Sequence, residues 1–370
     1  MLHCDVSVAN RRSMYVEQII AGYILLEKMG QIRLQLHEKP ELKKEFYHDA
    51  IIETVLDHRI RIVYDLTDGY NNYPSFRSFD DMLDQVDILF KASCHEGFHS
   101  TLRNRDKIVP LAPRYRTTIR NSWANRADFR KCIKGARSEI KTFLRNAIPF
   151  SENSTRNHYI KRFEAKAIPH KDTKIFFFTR LWDPGIASSY SSQNVDLDGS
   201  DVKDRIQAKK EEYAAISKLR ASIVKTLKQE YGCSFIGGLA PTDYAIRTYP
   251  DLVGTADMAR RTKYTANMHR ADICVNTQGT HGCYNFSFGE ELAASRAIVT
   301  EKPIYQTPPF LQEGVNYYTY TSVDDCLQKV AFLFEHPAAM LEMMQKNERY
   351  YQEHLRPDRL VRDTLDFALR

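Results

Sequence analysis

Between Thr277 and Glu301 a loop rich in glycine, serine and threonine runs into a helix that carries acidic residues, with short apolar strands on either side at Ile273 to Val275 and Ala297 to Val299. These residue types suit phosphate. Gly279 and Gly282 let the backbone approach a ligand closely. Thr280, Ser287 and the free amides of a helix opening near Phe286 can donate to phosphate oxygens, and the helix dipole adds positive potential there. Glu290 can accept hydrogen bonds from a ribose diol, or it can simply complement the dipole. His281, with an ordinary pKa near ~6.5, can touch phosphate or sugar or carry a proton; a structural loop histidine fits equally well.

Other candidates lie outside this run. Arg180 closes the apolar stretch Lys174-Ile-Phe-Phe-Phe-Thr, where a guanidinium can form forked hydrogen bonds to a diphosphate. A surface salt bridge is its alternative. Lys263 is a second cation and reads more readily as a solvated helix position. Gly237 and Gly238 end a strand, either facing a ligand or making a tight turn. In the first half, Asp65-Leu-Thr-Asp68-Gly-Tyr70 ends an apolar run, the place where open α/β sheets put their ligands. Asp68 is the candidate base for a hydroxyl proton, and it also reads as the start of an Asp-Gly turn. His3 and Asp5 are lesser alternatives.

The chain has 370 residues, which suits two domains. Its seven cysteines show no CxxC pair and no metal-ligand spacing, so free thiols in a reducing compartment are expected. No metal and no resident cofactor are expected. No apolar run is long enough for a membrane span, and Met1 to Met14 lacks the pattern of a secretory signal. A cytoplasmic protein is the plain expectation.

The net charge of +6 is unevenly spread: 101–145 holds thirteen Lys or Arg against three acids. Within 126–145, Phe129, Ile133, Ala136, Ile140, Phe143 and Leu144 share one helical face and basic residues dominate the rest. This is either an ordinary packing helix or a contact for an anionic membrane surface or acidic acceptor, which would make the protein peripheral at the inner face of the membrane. The segment has little Tyr or Trp for stacking, which argues against nucleic acid.

The elements that must position these residues alternate. Strands are expected at Cys4 to Val8, Ile32 to Leu36, Arg61 to Leu66, Ile88 to Lys91 and Ile108 to Leu111. Helices are expected from Ser13, as a cap, to Gly30 and near Leu42 to Leu56. The second half continues with strands at Lys174 to Arg180, Ser234 to Gly238, Ile273, Ala297 and Tyr317 to Tyr320. Helices fall at Asp204 to Tyr231, Thr262 to His269 and three times after Val323. This alternation predicts parallel sheets covered on both faces. The polar stretch 151–173 reads as a linker between an acceptor domain, 1–150, and a donor domain, 174–355, with 356–370 as a final helix returning to the first domain. The serine-rich loop after Pro184 is long enough to be functional.

In the order of these motifs the chain resembles the GT-B glycosyltransferases, and more narrowly those that build bacterial surface polysaccharides. Many members carry Glu-x-x-Ala-x-Gly-x-Pro after the loop; here it reads Glu290-Glu-Leu-Ala293-Ala-Ser295-Arg-Ala297, so Ser295 replaces the Gly and Ala297 the Pro. The resemblance implies an α/β fold of two Rossmann-like domains facing a cleft. It also implies a nucleotide-sugar donor whose ribose meets Glu290 and whose diphosphate meets Arg180, and a glycan or lipid-linked acceptor. Retaining members often have a second Glu where this chain has Gly282. His281-Gly-Cys-Tyr-Asn is similar to the His-Cys-Gly-Trp-Asn of some inverting members, so the lean is to inversion, without a metal. A nucleotide-sugar epimerase of the same fold and an inactive binding protein are the alternatives.

Overall fold

The computed structural model describes residues 1–70, 72–126, 137, 140, 154–188 and 202–370. Nearly all of 126–145 and most of the serine-rich loop lie outside the described residues.

The first domain contains β1 (Leu2–Val8), α1 (Glu17–Lys28), β2 (Ile32–Glu38), α2 (Leu42–Glu45), β3 (Ile51–Leu56), β4 (Ile60–Asp65), α3 (Phe76–Leu83), β5 (Ile88–Lys91), α4 (Glu96–His99) and β6 (Ile108–Pro110). Its six-stranded sheet has the order β2-β1-β3-β4-β5-β6. The helix expected at Leu42 to Leu56 is instead one turn, α2, followed by strand β3. Four of the six residues of β3 are β-branched, which favours a strand, and Ile51, Ile52, Thr54 and Leu56 are all buried. Asp57 and His58 both have positive φ, and the Arg59 amide bonds to the Leu56 carbonyl at 2.9 Å. This is the tight turn that matches strand twist in a hairpin. As a result β3 runs antiparallel to both β1 and β4, and the sheet is mixed rather than wholly parallel. Nor does the Ser13 side chain cap α1, which opens at Val16 with no side-chain cap.

The second domain contains β7 (Ile175–Thr179), α5 (Val202–Tyr231), β8 (Phe235–Leu239), α6 (Asp243–Thr248), α7 (Arg261–His269), β9 (Ile273–Asn276), α8 (Phe286–Ala293), β10 (Ala297–Glu301), β11 (Tyr318–Tyr320), α9 (Val323–Glu335) and α10 (Pro337–Tyr350). Its sheet has the order β11-β10-β9-β7-β8, and every pairing is parallel. Ile175, Phe177, Ile273, Val275, Ala297 and Val299 form its core with Ile223, Val224 and Leu227 of α5. Ser295 sits at φ 55°, a backbone region that suits glycine; its hydroxyl donates to the Ala165 carbonyl at 2.7 Å. That bond fastens the 154–173 segment to the second domain.

A short π-helical turn at Tyr351–Leu355 leads to α11 (Pro357–Ala368). This helix lies against α1, and Leu360, Val361 and Leu365 join Ile19, Ile20 and Tyr23 in one core cluster. The crossing depends on Gly22: a Cβ there would lie 2.1 Å from the Pro357 carbonyl oxygen and 2.5 Å from a Val361 methyl. Gly22→Ala is therefore expected to lose about 1–3 kcal/mol by overpacking. Urea unfolding measures it; parental stability would contradict this contact.

Candidate active site between the two domains

In the second sheet β7 and β9 are neighbours, but the chain leaves β7 toward β8 on one side and β9 toward β10 on the other. At such a reversal a crevice opens beyond the carboxyl ends of the strands, the usual ligand position in open α/β sheets. Arg220 of α5 holds this edge together. Its guanidinium is buried and donates to the Thr277 hydroxyl (3.0 Å), the Arg180 carbonyl (2.5 Å) and the Gln278 carbonyl (2.8 Å). Burial pushes its pKa down to about 10, so it remains charged at neutral pH. The Arg180 side chain itself is exposed and lies over the Trp182 ring at 5.4 Å.

The loop after β9 is built for a sharp path. Asn285 Nδ2 donates to the Thr277 carbonyl at 2.6 Å and the Gly279 amide to the Cys283 carbonyl at 2.8 Å. His281 and Gly282 both take positive φ, and a Cβ on Gly282 would overlap Ile304. The loop ends at the start of α8, where the Ser287 hydroxyl accepts from Asn276 Nδ2 at 2.9 Å. Glu290, expected at a ribose, is 3% exposed and its Oε1 is 2.5 Å from Arg261 Nη2. Burial raises its pKa and Arg261 pulls it back. Glu291 is buried beside it, pushed well up by burial. Lys263 is exposed, with Asp257 at 3.8 Å. Gly237 and Gly238 serve close packing: a Cβ on the first would meet the Phe177 carbonyl at 2.2 Å, and the second, at φ 146°, abuts Gly254.

The first domain supplies the facing wall. Asp68 Oδ1 accepts from Arg114 Nη2 at 2.6 Å, and the guanidinium lies over the rings of Tyr15 (5.0 Å) and of Phe286 at the start of α8 (5.6 Å). A cavity of about 260 Å³ opens between the domains, with Tyr15, His48, Asp49, Thr67, Asp68 and Asn72 on one side and Thr280 and His281 on the other. Of the residues singled out in the sequence, Asp68, Thr280 and His281 thus line one cavity from its two sides. Arg180, Gly237, Gly238, Lys263, Ser287 and Glu290 are not among its lining residues. The His281 ring Nε2 lies 3.2 Å from Lys209 Nζ, and its carbonyl accepts the Tyr305 hydroxyl at 2.9 Å. Burial, then Lys209, lowers the His281 pKa, so the ring is neutral at pH 7.

Behind this wall lies a charged network that sequence reasoning missed. Asp65 and Lys91 end the adjacent parallel strands β4 and β5, and both side chains are fully buried, with Lys91 Nζ 2.8 Å from Asp65 Oδ2. Thr67 donates to Asp65 Oδ1 through its amide (2.9 Å) and hydroxyl (2.6 Å), and the Tyr73 hydroxyl donates to Oδ2 (2.8 Å). Lys91 also donates to the Gly69 carbonyl at 2.8 Å and faces the Tyr70 ring. Burial alone would raise the Asp65 pKa, but Lys91 and these donors hold it well below the carboxylate range. The available signal was two strands, Ile-Arg-Ile-Val-Tyr-Asp and Ile-Leu-Phe-Lys, each ending on an ionisable residue.

Two Rossmann-like domains with their strand-end loops facing one cavity, and a last helix returning to the first domain, define the GT-B architecture. No protein-family model matches the sequence, and no curated protein does. Among solved structures, the chain is similar to the Anabaena protein HepE in complex with UDP-glucose, at 10% identity and a TM-score of 0.38, covering 93% of this chain and 88% of that one. It is similar to UDP-GlcNAc 2-epimerase from Neisseria meningitidis bound to UDP-GlcNAc, at 12% identity and a TM-score of 0.35, over 78% of this chain and 63% of that one. It is also similar to the C-terminal domain of a group 1 glycosyl transferase family protein, LpcC, from Francisella tularensis, at 14% identity and a TM-score of 0.31, over 53% and 92% of the two chains. All three scores are low, and the fold assignment rests on this chain's own strand order and connections. Among the described residues no helix is long and apolar enough to cross a membrane.

Proposed function

We propose that the protein is a glycosyltransferase that moves a sugar from a nucleotide-sugar donor to a hydroxyl of a glycan or lipid-linked acceptor, with inversion and without a metal. The observation that carries this reading is the interdomain cavity in which strand-end loops of both domains set Asp68 opposite Thr280 and His281. On this reading the diphosphate lies over the 280–287 loop and the amino end of α8, with Arg180 and Lys209, whose Nζ is 3.2 Å from His281 Nε2, as its candidate cations. Donors already in place at the leaving group are what such a reaction needs. Asp68, oriented by Arg114, receives the acceptor hydroxyl from the other side. Glu290 reaches a ribose only if it leaves Arg261. A second, mostly apolar cavity of about 880 Å³ lies beyond Tyr305, between Phe90, Val109, Leu360 and Phe367. It supports an acceptor with an apolar portion.

A calorimetric and thermal-shift screen with UDP, GDP, CDP and their sugar conjugates tests the reading. One nucleotide is expected to stabilise the protein by about 2.7 kcal/mol at a hundredfold excess over its Kd. Failure of every nucleotide to bind would sink the proposal. Conversion of a nucleotide sugar to its epimer in the absence of any acceptor would replace it by the epimerase reading.

A further inference from the structure

The large cavity beyond Tyr305 is walled by both domains and by the last helix. Phe90 and Val109 come from β5 and β6, the 303–310 loop follows β10, and Leu360 and Phe367 belong to α11. Its volume of about 880 Å³ is that of a ligand pocket and not of a packing defect. Tyr305 stands between it and the smaller cavity of Asp68 and His281, because the Tyr305 hydroxyl donates to the His281 carbonyl at 2.9 Å.

The polar groups of this lining are largely spent inside the protein. The Thr307 hydroxyl donates to the Leu311 carbonyl at 2.9 Å, and the Thr364 hydroxyl to the Val361 carbonyl at 2.7 Å. The Gln306 amide accepts from the Cys94 thiol at 3.2 Å and donates to Glu96 at 3.2 Å. Pro110, Pro303, Pro308 and Pro309 have no amide hydrogen to give. The Tyr350 hydroxyl has no hydrogen-bond partner among the described residues, but it is enclosed and offers the cavity nothing. His354 Nδ1 lies 2.8 Å from Asp363 Oδ2, and the ring lies flat against Phe310 with centroids 4.3 Å apart. Asp366 and Arg370 are exposed at the outer end of the last helix. A sugar or a phosphate placed inside would give up water without finding replacement partners, whereas a hydrocarbon gives up nothing. Two residues of the lining, Phe310 at 62% and Phe367 at 43% exposure, carry the apolar surface out to solvent.

We infer that this cavity binds the hydrocarbon chain of an amphiphile with a hydroxylated head, the chain lying between β6, α11 and the 303–310 loop and the head at Tyr305. The chain site stands on the lining alone; that its occupant is the sugar acceptor rests on the glycosyl-transfer reading. On that reading Tyr305 marks where the chain ends and the head begins, and the head passes it to reach Asp68. Because the wall offers packing and few hydrogen bonds, selection is by chain length. Each methylene taken from water into the cavity is expected to tighten binding about fourfold until the space is filled.

Calorimetry on the full chain with hexyl, octyl and decyl β-glucosides, each below its micelle concentration, tests this. Affinity is expected to rise about fourfold per added methylene. An affinity that ignores chain length overturns the inference, and is also the result if another part of this chain already fills the space. Location is tested by irradiating the protein with an octyl glucoside that carries a diazirine at the chain end. Label is expected on the peptides that hold Val109, Phe310 or Phe367; label elsewhere overturns the assignment. Val109→Trp, which puts an indole into the cavity from the edge strand, is expected to abolish the chain-length dependence. Phe310→Ser, at an exposed position that the fold does not need, is expected to weaken octyl glucoside binding about three- to tenfold. Parental binding in both variants places the chain outside the cavity. UDP binding, measured separately, keeps the two readings apart. A protein that binds UDP but shows no chain-length dependence loses the chain site alone, and one that binds the chain but no nucleotide keeps the site and loses the transferase reading.

Discussion

Replacing Lys91 by methionine is expected to destabilise the protein by about 3–5 kcal/mol at neutral pH, because it leaves the Asp65 carboxylate buried without its cation. The neighbours cannot make up the loss. Thr67 and Tyr73 already donate to Asp65, and the His48 ring stands at 3.4 Å as a neutral donor. The pH dependence has a definite sign. In the parent the folded-state pKa of Asp65 is depressed, so its contribution is present above the unfolded value, near ~3.9, and fades only as pH falls toward the folded value. In K91M the same carboxyl keeps the burial penalty and loses its main opponent, so its pKa rises and the variant regains stability on acidification from pH 7 to pH 5. Removing Lys91 also removes one of the influences that lower the His48 pKa, while burial, the largest of them, stays. Denaturant melts of both proteins across this range measure it; a stability difference that stays constant would show that Asp65 and Lys91 are not coupled.

Arg220→Met is expected to lose about 2–4 kcal/mol, since buried carbonyls that lose their donor carry most of the cost. Methionine preserves much of the stem's packing in α5, so the loss reports the guanidinium. The substitution is expected to weaken binding as well as stability. Arg220 ties the loop after β7 to the loop after β9 by bonding the Arg180 and Gln278 carbonyls, and these loops bound the crevice at the sheet's reversal. Untied, they order only when a ligand is present, and each ordered backbone position costs roughly 1–2 kcal/mol. A tenfold or greater loss of nucleotide affinity, on the order of 1.4 kcal/mol, is expected by calorimetry. Unchanged affinity in a destabilised variant would restrict Arg220 to a structural role.

Much of the second domain was legible in the sequence because each of its signals had one source. Ile175 to Phe178 is an apolar run too short for a helix, and the repeat of Ile216, Leu219, Ile223 and Leu227 has the helical period. The first domain was harder where two signals overlapped. Leu42 and Phe46 continue a helical spacing into Ile51 and Ile52, but the β-branched run and the Asp57-His58 turn decide the outcome. The site was legible as chemistry more than as geometry. Gly282 and His281 were visible as parts of a loop that lets backbone approach a ligand, whereas the partner of Glu290 was not, because Arg261 lies 29 residues away and reads as a solvated helix start. Asp65, Lys91 and Arg220 look like surface residues in any local window, and only the sheet topology reveals that they are enclosed. Gly22 likewise reads as a poor helix former until Pro357 is found against it.

The docking of α11 on α1 also bears on how the chain is made. The core around Ile19, Ile20 and Tyr23 is sealed by Leu360, Val361 and Leu365, more than three hundred residues later. A ribosome delivers the amino-terminal half first, at about 5–20 residues per second. Until the last helix emerges, the first domain must wait with an apolar face open, while the second domain, whose sheet lies entirely between β7 and β11, can fold on its own schedule. In folding order, the second domain is thus an insertion within a domain whose two ends meet last. A nascent chain stalled before Pro357 should be the species most in need of a chaperone.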